Sequence, residues 1–185
     1  PPMPDDQTGR PNVKGRTSGV NAFWWTLAEF CDRELLRYVF ADSEDERSQY
    51  TMVIHQVAAR LKSDAVPAGN DGAISIDGVQ IRTWPDLIEF ITERVTDEDY
   101  RARWAGPVTG IGTVNAFVRR LRSSQRHLTP IIRGDLPNSP ARQISTANQQ
   151  VTVVDLHALH DRAQRFVVGV VLATETERKE AAGSG

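Results

Sequence analysis

The sequence predicts an α/β fold in which a mostly helical stretch carrying one hairpin is followed by a single strand–helix unit. Three observations carry this. Tyr50, Val53, Ile54, Val57, Ala58 and Leu61 recur at helical spacing and form one apolar stripe. The run ISIDGVQI, Ile74 to Ile81, alternates on both sides of Asp77-Gly78, a pair that supplies the positive φ angles of a tight hairpin. Residues 150–185 read as one strand buried on both faces, a turn and one long helix, with no sheet elsewhere for that strand to join. A lone buried strand cannot satisfy its edges, so the chain is expected to be a piece of a larger sheet protein.

The elements follow in order. Residues 1–20 are rich in Pro, Gly, Ser and Thr and read as a loop or linker. Their polar, Pro-rich start has neither the basic opening nor the apolar run of a signal peptide, and it looks like a chain picked up mid-stream. Residues 21–128 form the helical part. Asn21 is placed to cap a helix over 22–32 carrying Phe23, Trp24, Leu27, Ala28 and Cys31. Ser43 and Glu46 make a capping box before a helix over 44–62. Residues 63–72 are turn-rich, and the hairpin at 74–81 follows. Thr83 caps the next helix with Pro85 at its first position, and Leu87, Ile88, Phe90 and Ile91 form its core face. A shorter helix after Thr96 holds Tyr100 and Trp104 and ends at Gly106-Pro107. Gly110 and Gly112 precede a helix over 114–127 whose Val114, Phe117, Val118 and Leu121 face inward. Residues 129–149 read as a connector and 150–185 as the strand–helix unit. The tetrapeptide VNAF occurs at Val20–Phe23 and Val114–Phe117, but its flanks differ, so it marks no duplicated unit.

Composition narrows the function classes. A chain of 185 residues suits one domain, and 39% apolar with 25% charged residues argues against wholesale disorder. Net charge −2 does not advertise a nucleic-acid or membrane partner. Cys31 is alone, which excludes an intrachain disulfide and fits a reducing cytosol. It has no evident catalytic partner. The longest apolar run, Phe166 to Ala173, is too short to span a bilayer, so a cytoplasmic location without a membrane partner is expected.

Several residues can carry chemistry, each beside a plainer reading. No GxxxxGK[ST] string occurs, and KGRTSG at Lys14–Gly19 has those residue types in the wrong order. Gly110, Gly112 and Thr113 open a helix whose free N–H groups suit an anion, or they are an ordinary helix start. His157, His160 and Asp161 suggest a metal and with it a small metal-dependent hydrolase. No further Cys or His pair completes a closed set, and Asp161 stands where an N-cap is wanted. Asp155 ends VTVVD, where open α/β sheets place ligands and a magnesium carboxylate would stand; otherwise it caps a turn. From Arg101 to Gly134 there are seven arginines and no acid. Within this segment Arg119, Arg122 and Arg126 share a helical stripe with Arg120 beside it, which suits a phosphate backbone. The stripe equally suits a solvated face, or pairing with the acidic runs Asp42–Glu46 and Asp97–Asp99 in an oligomerisation or interaction module.

Long strings agree, in order, with one family. GRTSGVNAFWWTLAEFC, FADSEDERSQYTMVIHQVAARL, TGIGTVNAFVRRLRSS and VTVVDLHALHDRAQRFVVGVVLATETERKEAAG resemble the actinobacterial branch of HerA-like P-loop ATPases, in the HerA/FtsK group, from about Pro11 to Gly185. The resemblance implies a helical insertion lying between Walker A and Walker B, then one strand–helix of a RecA-like parallel sheet. It implies an ATP- and Mg2+-dependent translocase or helicase acting on double-stranded DNA, often hexameric and in some cases paired with a nuclease. None of the matching strings is a catalytic motif. The family's nucleotide-site residues have no counterpart here, so this segment is expected to bind no cofactor and to leave ATP chemistry to the rest of its ATPase domain. His160 stands where relatives more often have another turn residue.

Overall fold

A computed structural model describes residues 22–40, 49–139, 142–144 and 152–183. Among them the architecture is mostly helical: seven helices and one small antiparallel sheet in the order β1-β2-β3. A parallel sheet is not seen among the described residues; the parallel pairing there is an isolated bridge, Trp25 with Ile132. The predicted start of the second helix, with the Ser43–Glu46 capping box, lies outside the described residues, as do KGRTSG and Asn21.

The first helix begins later than its sequence suggests. α1 is Leu27–Asp32, and the Thr26 hydroxyl, not Asn21, caps it by accepting the Glu29 amide at 3.1 Å. Residues 22–25 run extended because Trp25 finds a backbone partner: its amide donates to Ile131 at 2.8 Å and its carbonyl accepts from Arg133 at 2.8 Å. Aromatic residues fit such pairing well, and here the distant partner overrides the helical spacing. A left-handed Glu34 (φ 53°) turns the chain into a short α2, Leu36–Val39. Cys31 is buried, and burial pushes its thiol far up, which makes it inert.

The strongest local signals hold. α3, Gln49–Asp64, buries Val53, Ile54, Val57, Ala58 and Leu61 as the stripe requires. The hairpin pairs β2, Ile74–Ile76, with β3, Val79–Ile81; Asp77 and Gly78 both take positive φ (50° and 79°). A third strand, β1, Val66–Pro67, comes from the stretch read as turn-rich, and its Val66 stands opposite Ser75. α4, Trp84–Thr96, opens on a reciprocal box: the Thr83 hydroxyl accepts the Asp86 amide, and the Asp86 carboxylate accepts the Thr83 amide. Thr83→Ala should therefore lower the unfolding free energy by about 1 kcal/mol in urea titration. α5 is Glu98–Ala105, capped by Asp97, and a Gly106 at φ 99° ends it. α6, Ile111–Leu128, starts three residues before the expected position, so Gly112 lies inside its first turn and Gly110 is its N-cap.

α3 and α4 both pack on α5 and α6. Phe90 of α4 meets Trp104 of α5 edge-to-face with ring centroids 5.6 Å apart. Part of the predicted connector is core: Ile131, Ile132 and Leu136 are buried, and the buried Arg133 pairs with Asp135 at 2.7 Å. Three stretches of chain meet there. The Gly72 carbonyl accepts from Leu27 at 3.0 Å and its amide donates to Leu136 at 3.1 Å. A Cβ on Gly72 would lie 2.5 Å from Thr26 Cγ2, and one on Gly134 would lie 2.6 Å from the Arg82 carbonyl oxygen, so both positions need glycine for closeness.

The expected strand over VTVVD is corrected in its described part. Residues 152–156 form no strand, and Val153 is 86% exposed. A strand exists only with a neighbouring ladder, and none of the described strands lies against it. The long helix is present as α7, Asp161–Gly183. It belongs to the same core as the helical part: Phe166 is fully buried with its ring centroid 5.2 Å from Trp25 and 6.5 Å from Phe30.

Candidate functional site

The C-terminal half of α6 and the start of α7 build an open groove of about 790 Å³. α6 turns Val114, Phe117, Leu121, Ser124 and Leu128 into the core, which leaves its arginines on the outer face. Arg122, Arg126 and His127 line the groove from α6; His160 and Arg162 line it from the α7 side. No Asp or Glu is among its lining residues. The Arg162 guanidinium ties the two walls by donating to the Ser123 hydroxyl at 2.5 Å and to the Arg120 carbonyl at 3.3 Å. The rings of His127 and His160 stack with centroids 3.6 Å apart and planes 18° from parallel. Burial, then the neighbouring His160, Arg126 and Arg162, hold His127 below the usual imidazole range.

The four candidate arginines separate. Arg119 is exposed, with no acidic partner among the described residues. Arg122 reaches Glu89 of α4 at 3.7 Å, an exposed pair of little energetic weight. Arg126 directs its Nε–H to His127. Arg120 instead lies over the Tyr50 ring, 4.7 Å from the centroid, and is engaged with the core edge. Elsewhere in the acid-free segment Arg103 pairs with Asp64 at 3.0 Å and Arg133 with Asp135, so only part of its charge is on offer. The acidic run 42–46 lies outside the described residues; Asp97 caps α5.

The histidine–aspartate cluster is not drawn together. His157 pairs with Asp155 at 2.6 Å, His160 stacks on His127, and Asp161 pairs with Arg165 at 3.0 Å. Among the described residues no group of three metal-ligating side chains is found. Asp161 is the first residue of α7 and not its cap; the Nδ1 of His160 takes the Arg162 amide at 3.3 Å instead. Asp155 is not at the end of a strand. Its carboxylate accepts the His157 amide at 3.1 Å and closes a turn, and the His157 hydrogen bonds hold it below the usual carboxylate range. Gly110 and Thr113 form the first turn of α6, where Thr113 donates to the Gly110 carbonyl at 3.0 Å.

Sequence reading missed His127 and Arg162. The signal for His127 was present, since it follows Arg126 on the outer face of α6. Arg162 had none, because its partners on α6 are far off in sequence. Among the described residues no helix is long and apolar enough to cross a membrane. No protein-family model matches the chain, and no curated protein matches it.

Proposed function

We propose that the chain is a segment of a HerA-like, ATP-driven DNA translocase, lying between the two nucleotide-binding motifs, and that it contacts the phosphate backbone of double-stranded DNA. The observation that carries the contact is the outer face of α6: Arg119, Arg122 and Arg126 are exposed, with one weak acidic partner among the described residues. The family assignment rests on the ordered string resemblance. It is supported by Val153, 86% exposed in a segment whose composition suits a strand of a RecA-like parallel sheet supplied by the rest of the ATPase domain, although Val154 and Leu156 pack against the core here. ATP, Mg2+, a hexameric ring and a nuclease partner belong to that whole protein.

Fluorescence anisotropy with a short duplex across a salt series tests the contact. The parent chain should bind at low salt, and Arg119→Ala/Arg122→Ala/Arg126→Ala should flatten the log–log salt slope by about 2–3. No binding at low salt, or an unchanged slope, would sink the DNA reading. A second reading, a non-catalytic interaction module, is favoured by α7, where Val168 and Leu172 stand one turn apart, 45% and 62% exposed. Charge reversal at Arg122 would then alter assembly and leave duplex affinity alone.

A further inference from the structure

We infer that the groove between the end of α6 and the start of α7 is a seat for a single phosphate group, held by three guanidinium groups and two imidazoles. The inference stands whether or not the segment serves a DNA motor. Its charge comes from Arg122, Arg126 and Arg162. Among the described residues that charge is largely uncancelled: Glu89 of α4 meets Arg122 at 3.7 Å, and Asp161 is turned to Arg165.

The imidazoles contribute by their protonation pattern. The Nε–H of Arg126 donates to Nε2 of His127 at 3.1 Å, so that nitrogen keeps its lone pair and the proton sits on Nδ1. The Arg162 amide donates to Nδ1 of His160 at 3.3 Å, which places that ring's proton on Nε2. Each ring thus accepts at one nitrogen and has its other nitrogen to give. The Ser123 hydroxyl stands on the same wall, held by Arg162. A planar carboxylate is satisfied by one guanidinium fork. A tetrahedral phosphate, with more oxygens and up to two charges, matches donors arriving from both walls. The phosphate is either a diester of a nucleic-acid backbone or a free phosphate or monoester.

The test is a titration of the whole chain with inorganic phosphate at fixed ionic strength, read by the imidazole NMR resonances. His55 and His157 lie outside the groove and serve as internal controls. We expect His127 and His160 to shift saturably in the millimolar range and the controls to stay still. Arg162→Met should raise the midpoint about tenfold or more, the loss of a charged hydrogen bond. Arg126→Gln should do the same and leaves the Arg162 tie between α6 and α7 intact. A short duplex that displaces the phosphate identifies the diester source; phosphate retained beside bound duplex identifies the free or monoester source. Four histidines shifting alike, a linear response, or unchanged midpoints in both variants would overturn the site. No duplex binding by the parent chain with the phosphate titration intact would be a failure of the DNA reading alone; duplex binding without a saturable phosphate response would be a failure of this one.

Discussion

Phe166→Ala should lower the unfolding free energy by about 3–5 kcal/mol, the range for emptying a buried aromatic site. Phe166 is fully buried on α7 yet meets Trp25 and Phe30, which lie at the other end of the described chain. Its ring contacts are nearly perpendicular with Trp25 (87°) and close to parallel with Phe30 (24°), so no single neighbour can collapse into the space. The measurement is a urea titration followed by tryptophan fluorescence, with the midpoint falling and the slope held. A loss below about 1 kcal/mol, the size of an ordinary surface change, would mean that α7 is an appendage and not part of the core.

Arg142→Ala should cost about 3 kcal/mol in the same titration. Arg142 is 3% exposed, and all three of its nitrogens are used. One donates to the Glu29 carboxylate at 2.6 Å and to the Trp24 carbonyl at 3.0 Å; the others reach the Asn138 side-chain oxygen. Truncation leaves a carbonyl and most of a carboxylate short of donors in a part-buried site. Glu29 keeps a weaker partner, Arg33 at 3.3 Å, which places the cost at the low end for a broken buried pair. Arg142→Met with Glu29→Gln should recover much of it, since the uncompensated charge is then gone; a double-mutant cycle reads the coupling. Equal losses in the single and double variants would show that the arginine acts by volume alone.

The parts of this fold that were legible are those whose cause is local. The α3 stripe, the Asp77-Gly78 turn and the Thr83–Asp86 box each have their physical reason within a few residues, so spacing alone exposes them. The misread parts depend on a partner far along the chain. Phe23–Trp25 has helical spacing, but Ile131 and Arg133 offer it a backbone ladder. The VTVV run has the composition of a buried strand, but no described strand stands beside it. The candidate site divides in the same way. Spacing put Arg119, Arg122 and Arg126 on one face of α6. Spacing could not show that Tyr50 would take Arg120, or that α7 would bring Arg162 and His160 across to face them.

The meeting of residues 25–27, 72 and 131–136 also orders events in time. A ribosome releases Trp25 well before its partners, since the groups that satisfy its amide and carbonyl belong to Ile131 and Arg133. The hairpin, α4 and α5 are built from near neighbours and form quickly once released. The aromatic run at 23–25 has to wait, exposed, until almost the whole helical part has left the exit tunnel. The segment made first among those described therefore waits for partners at the far end of the helical part, and nascent chains paused before residue 131 are where a holding chaperone would find it.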